Sequence, residues 1–198
     1  MAMNRSAHLP YSEPDQAAVE KVVISRRTIH LFEPEPVPSL EVILHAIDLA
    51  RWAPNHYLTE PWRFYLLGRK TAEAIARLNA SQTAEKRGEA AGQAKLDRWL
   101  NIPGWMLVTC RRSDDEKRQQ EDYAACCCAI QNLQLVLWSR GIGTKWTTGS
   151  VTSTPDFFEL VDIDPVQEKL VSMLWYGYAA EIPSPLRKPV KAILEKRP

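Results

Sequence analysis

No apolar run in this 198-residue chain is long enough to cross a bilayer: the longest, Ala124 to Ile130, falls far short of the roughly 20 residues a spanning helix needs. The first sixteen residues, with Pro10 and Pro14, are polar and lack the apolar stretch of a secretory leader, so a cytoplasmic protein with no membrane contact is expected. Charge of one sign is equally scarce. Lys and Arg number 25 against 24 Asp and Glu, a net charge of +1, which argues against a generic nucleic-acid binder but leaves room for a local basic pocket. Glycine is sparse at 8 residues, and none opens a strand–turn–helix phosphate loop; Gly141-Ile142-Gly143 follows a helix and lacks the third glycine, which excludes a Rossmann fingerprint. The four cysteines form no C-x-x-C pair, and three are consecutive, Cys126 to Cys128. Neighbours on a helix diverge by about 100° and cannot share one metal, so small core residues in a reducing compartment are expected, and no metal.

What is present is an ordinary globular composition, 45% apolar and 25% charged. At roughly 150 residues per domain the length suits one unit, with residues 1–14 as a flexible arm and 15–198 as a single domain. Apolar spacing predicts a helix over Asp15 to Ser25. A second helix follows, capped by Ser39 and ended near Trp52 by Pro54. Trp62 to Leu67 reads as a strand, Lys70 to Ser81 as a helix, polar Thr83 to Gly92 as a mobile loop or frayed helix bordering a pocket, and Ala94 to Leu100 as a short helix. Trp105 to Cys110 is a second strand. Asp115 to Arg140, apolar on most sides, is a central buried helix that Gly141 ends. Strands at Thr144 to Thr148 and Lys169 to Tyr178, a short helix at Pro155 to Val161, and a last helix near Val190 to Lys196 complete the chain.

Four stretches could carry chemistry. In Ser25-Arg26-Arg27-Thr28-Ile29-His30, two guanidinium groups and a hydroxyl could cradle a phosphate, or the arginines could simply complement a helix C-terminus. From Trp52 to Phe64 a helix stops, a polar loop follows and an aromatic strand starts after Pro61; Asn55 and His56 could serve a site or cap the turn. Gly141 to Gly149 combines small residues with Thr144, Thr147 and Thr148, suited to a planar ligand or to a plain helix cap. Gly177 to Pro189 ends a strand and presents Arg187 and Lys188 on a Pro-rich segment, as a site or as a solvated basic tail. No Ser-His-Asp or metal-ligand spacing accompanies them.

Taken in order, Arg26-Arg27-Thr28, Ala53-Pro54-Asn55, Glu60-Pro61-Trp62-Arg63-Phe64, Gly141-Ile142-Gly143-Thr144-Lys145-Trp146 and Gly177-Tyr178 through Arg187-Lys188-Pro189 resemble the FMN-dependent nitroreductase family over about Val22 to Pro189. The loop at Pro54-Asn55-His56 and the short chain are most similar to its small single-domain members. The resemblance implies an α+β fold, a central mixed β-sheet flanked by helices, in an intertwined homodimer with FMN at the subunit interface. It implies hydride transfer from NADH or NADPH through the flavin to a small electrophilic acceptor, a nitroaromatic or quinone. The same resemblance leaves open a different flavin reaction, such as dehydrogenation, dehalogenation or flavin modification, or a non-enzymatic flavin binder.

By the same resemblance, Arg26, Thr28 and Arg187 hold the phosphate. Arg27 contributes through its backbone near the ribityl chain, and His30 stands near the flavin pyrimidine. Asn55 and His56, with Trp52 close by, reach the flavin of the other subunit, while Trp146, Thr147 and Thr148 line the dimethylbenzene or ribityl side. Three positions differ from the family pattern: Leu58 replaces Asn, Glu60 replaces Gln before Pro-Trp, and His30 replaces Lys or Arg.

Overall fold

A computed structural model describes residues 11–198; residues 1–10 of the expected arm lie outside the described residues. Glu13 and Pro14, the arm's last two positions, already belong to helix α1 (Glu13–Ser25), where Pro14 sits in the first turn without the loss of a helical bond. Ser39 accepts from the Val42 N–H and opens α2 (Leu40–Ala50), as its position before an apolar-periodic run dictates. Asp115 does the same for α5 (Glu116–Ser139), accepting from the Lys117 and Arg118 amides.

Four strands, β1 (Trp62–Leu67), β2 (Gly104–Arg111), β3 (Ile142–Thr147) and β4 (Glu168–Tyr178), form one sheet in the order β1-β2-β4-β3. Every ladder in it is antiparallel. The mixed sheet expected from the family is therefore reduced, among the described residues, to a single parallel bridge between Thr28 and Thr144. The reason is positional. Helix α5 carries the chain from β2 to a parallel β3, but β4 inserts between them and pairs antiparallel with both.

Strand alternation divides the core into two layers. Met106, Val108, Cys110, Leu174 and Tyr176 face α2 and α5, where Ile43, Ala46, Cys126, Ile130 and Leu133 meet them. Trp105, Leu107, Met173 and Trp175 face the other way, onto α3 (Arg69–Arg87), α4 (Glu89–Leu100) and α6 (Pro155–Val161) through Ile75, Trp99 and Phe157. β2 is buried on both faces as far as Cys110, which explains its continuous apolar run.

The segment expected to be a loop, 83–92, is helical. Helix α3 runs on to Arg87, Gly88 breaks it at φ 90°, and α4 begins at once. Its polarity reflects an outward face rather than lost structure. Gly92 is there for contact: a Cβ on it would come within 2.7 Å of Ala84 Cβ, so the glycine lets two helices close into a tight hairpin. The helix expected near residues 190–196 contracts to one 3-10 turn, Val190–Ala192.

Candidate functional site

Two clefts among the described residues gather positive charge. The first is built from the two ends of the chain. α1 stops at Ser25, whose hydroxyl accepts from the Trp138 indole N–H at 2.9 Å and pins the helix end to α5. The chain then runs beside β3, where the Ile29 amide donates to the Thr144 carbonyl at 3.0 Å. Ile29 is fully buried, so its neighbours Thr28 and His30 alternate outward. Gly143 makes this approach feasible, because a Cβ there would lie 2.4 Å from Ile29 Cγ1. Further on, the Ala180 amide donates to Leu31 and the Glu33 amide to Tyr178, which ties the end of β4 to the same segment. Pro183, Pro185 and Arg187 are thereby brought against Arg26, Arg27, Thr28 and His30 around a cleft of about 250 Å³.

The arginines in this cleft differ in state. The Arg27 guanidinium folds back on the Ile24 and Arg26 carbonyls at 2.6 and 2.8 Å, capping the end of α1. Arg26 remains free among the described side chains. Burial, then repulsion from Arg187 and Arg27, holds it below the ordinary arginine range. Two cations pressed together without a carboxylate between them form a site for an anion.

The second cleft, about 260 Å³, lies between the α3–α4 hairpin and the end of β3. Lys86, Arg87, Lys95, Arg98 and Lys145 line it, and no acidic residue does. Lys145 Nζ sits 5.0 Å over the Trp175 ring, and Trp175 packs edge-on to Trp99. The two clefts are electrostatically joined: His30 is held below the usual histidine value by burial first and then by Lys145 and Arg98. Burial, with Arg98 and Lys95, likewise lowers Lys145.

Of the residues singled out from sequence, Arg26, Arg27, Thr28, His30 and Arg187 come together in the first cleft, and Thr147 reaches the second. Thr148 is exposed and lines neither. Trp146 points from the opposite face of β3 and packs on the core beneath α2 and α5, because adjacent strand residues face opposite ways.

Trp52, Asn55 and His56 stand apart from both clefts in their own chain. Asn55 holds its own loop, accepting from the Glu60 amide at 2.7 Å and donating to Thr59. His56 Nδ1 lies 3.0 Å from Glu121 of α5, and Thr59 bonds buried Asp122. Tyr57, Leu58 and Glu60 all take positive φ, so this loop is held in a strained shape with Trp52, Tyr57 and Leu58 exposed. The sequence reading missed Lys86, Arg87, Lys95 and Arg98 entirely, since they sit in ordinary amphipathic helices. Lys145 lay inside a quoted motif but carried no signal of its own.

A family model described as the nitroreductase family matches residues 23–178. The Bacillus subtilis protein YfhC, which carries the provisional name NAD(P)H nitroreductase, is 32% identical over 171 residues, 84% of this chain and 87% of that protein. A nitroreductase-like protein from Bacillus cereus superposes with a TM-score of 0.80 at 28% identity, covering 96% of this chain and 98% of the other. A nitroreductase-type protein from Desulfovibrio desulfuricans, solved with FMN, shares the fold at a TM-score of 0.71 and 20% identity, over 91% and 96% of the two chains. With more than half its length inside the family match and a curated relative above 30% identity, this chain belongs to the nitroreductase family.

Proposed function

We propose that this protein is an FMN-dependent oxidoreductase that passes electrons from NADH or NADPH to a small electrophilic acceptor, a nitroaromatic or a quinone. The observation that carries the reading is the meeting of Arg26 and Arg187, from opposite ends of the chain, in a cleft whose His30 feels the charges of Lys145 and Arg98 from the second cleft. The donor set fits the cofactor: a dianionic phosphate relieves the repulsion between the two arginines, and Thr28 adds a neutral donor. Bound FMN supplies the hydride chemistry between donor and acceptor. The chain supplies position and charge. Arg26, Thr28 and Arg187 hold the phosphate, and Arg27 fixes the backbone of that segment near the ribityl chain. His30, Lys145 and Arg98 form the positive end beside the pyrimidine, and Thr147, which lines the second cleft, borders the ring. The test is the visible spectrum of the purified protein and identification of any chromophore released from it, followed by NADH and NADPH oxidation with nitro and quinone acceptors. A colourless protein that gains nothing from added FMN refutes the reading.

The protein works as a homodimer in the cytoplasm, with residues 15–198 forming one domain. Supporting the dimer, α1 has no buried residue at all, and Val19, Val23 and Ile24 on it are exposed. A 13-residue helix without a buried face is marginal alone in water. Leu186, Val190 and Ile193 of the tail are also exposed. A second copy covers these surfaces and brings its Trp52, Asn55 and His56 to the flavin. Light scattering at low micromolar concentration tests this, and a flavin-loaded monomer contradicts it. No helix among the described residues is long and apolar enough to cross a membrane.

A further inference from the structure

The cleft under the α3–α4 hairpin holds more positive charge than a flavin ring asks for. Its five cations are Lys86, Arg87, Lys95, Arg98 and Lys145, and none of them takes part in an ion pair among the described residues. In a chain of net charge +1 this is a local concentration, not a general bias. Its inner wall adds a second, independent observation. Asn79 and Trp175, both more than nine-tenths buried, line the cleft, and neither Asn79 Nδ2 nor Trp175 Nε1 has a hydrogen-bond partner. Gln82 Oε1 beside them is an unpaired acceptor. Buried polar groups are nearly always satisfied in a folded protein, so the two donors call for an acceptor, from water or from a bound ligand.

The flavin reading uses only part of this. An oxidised flavin ring is neutral and gains at most one negative charge on reduction. His30, Arg98 and Lys145 act on one another, and Lys95 acts on Lys145; the flavin reading takes this group as the cofactor's positive end. Lys86 and Arg87, in the last turn of α3, are left over. They stand at the same opening as the indoles of Trp99 and Trp175, whose ring centres are 5.0 Å apart and which give the cleft an aromatic floor.

We propose that Lys86 and Arg87 form an anion subsite for the electron acceptor, so that the enzyme favours aromatic acceptors carrying a carboxylate or sulfonate over neutral ones of the same size. This rests on the flavin reading of the neighbouring cleft.

The experiment compares 4-nitrobenzoate with its neutral isostere 4-nitrobenzamide on the holoenzyme. Wild type, Lys86→Gln, Arg87→Gln and the control Arg69→Gln are each assayed with both donors, NADH and NADPH. The expected result is a KM for nitrobenzoate at least about ten-fold below that for nitrobenzamide in wild type and control, a preference mostly lost in either test variant, as for a charge-assisted contact. Equal KM values in wild type, or a ratio unmoved by both substitutions, overturn the proposal. A loss of discrimination between NADPH and NADH, with the acceptor ratio intact, also overturns it, because it assigns the pair to the dinucleotide's extra phosphate. If the protein takes up no flavin, the functional reading falls by itself. Quenching of tryptophan fluorescence by the two nitro compounds needs no flavin, and there too a preference for nitrobenzoate that the variants abolish supports the subsite, while its absence refutes it.

Discussion

Removing Arg26 or Arg187 should separate two quantities that usually fall together, ligand affinity and fold stability. Neither side chain makes a hydrogen bond or ion pair among the described residues, and Arg26 is disfavoured in its charged form by burial and then by repulsion from Arg187 and Arg27. Truncating either one removes repulsion and little attraction, so the flavin-free protein should melt no lower than wild type. The flavin complex behaves oppositely. A hydrogen bond to a charged group contributes about 1.5–3 kcal/mol, which predicts FMN binding weaker by roughly ten- to a hundred-fold in Arg26→Ala and in Arg187→Ala. Riboflavin has no phosphate and should bind all variants alike. Arg69, whose exposed pair with Glu73 at 2.7 Å is worth little, supplies the control substitution. The assay is quenching of flavin fluorescence on titration into deflavinated protein, with thermal melts of the same samples. Raising salt should weaken FMN more than riboflavin. If both variants keep wild-type FMN affinity, or lose riboflavin equally, the phosphate does not sit between these arginines. If the flavin-free variants melt well below wild type, the account of their repulsion is wrong.

Three other perturbations test how the site is held. Gly143→Ala puts a Cβ within 2.4 Å of fully buried Ile29, so urea unfolding should show a loss of about 1–3 kcal/mol, and FMN affinity should fall with it because Ile29 places Thr28 and His30. Unchanged stability would mean the segment has room to shift. Thr59→Val takes away the hydroxyl that donates to buried Asp122; about 1–3 kcal/mol should be lost in the same assay, and proteolysis should become faster at the 52–60 loop. For His30 the direction of the pKa fixes the sign: its folded value is lowered by burial and then by Lys145 and Arg98, so the unfolded chain binds more protons and stability falls as pH drops below about 6.5. His30→Gln should therefore match wild type in melting temperature at pH 8 and exceed it at pH 5.5, and a gap that is the same at both pH values contradicts this.

Much of the scaffold was legible because it is written in local chemistry. Ser39 and Asp115 before apolar-periodic runs announce α2 and α5, and the aromatic run after Pro61 announces β1, which the structure places at Trp62–Leu67. The order of β4 within the sheet was not legible, since pairing between strands far apart in sequence leaves no local mark, and that order is what makes the ladders antiparallel. Thr83 to Gly92 misled for a definite reason. Two glycines in a polar stretch read as flexibility, yet Gly88 is a helix break and Gly92 a contact point against Ala84. Motif order singled out Arg26, Arg27, Thr28, His30 and Arg187, and these five line the first cleft together with Pro183 and Pro185. The second was invisible because its cations arrive from α3, α4 and β3, each an unremarkable surface charge on its own element.

That second cleft changes the meaning of the most conspicuous departure from the family pattern. A histidine where the family resemblance implies a lysine or arginine reads, from sequence, as a loss of positive charge at the proposed pyrimidine end of the site. In space, positive charge stands beside it. Lys145 on β3 and Arg98 on α4 both press on His30, and with burial they are why its neutral form is favoured. A third permanent cation at position 30 would add to a cluster that already lowers Lys145 through Arg98 and Lys95. The histidine suits this arrangement: it can donate a hydrogen bond while uncharged, and a negative partner that offsets its neighbours favours its protonated form. Glu60 fits the same logic from the other side, because it is exposed on its loop and lines neither cleft, so its carboxylate does not oppose the positive end within its own chain. In this chain the positive charge around position 30 is supplied by β3 and the α3–α4 hairpin rather than by the α1–α2 segment itself.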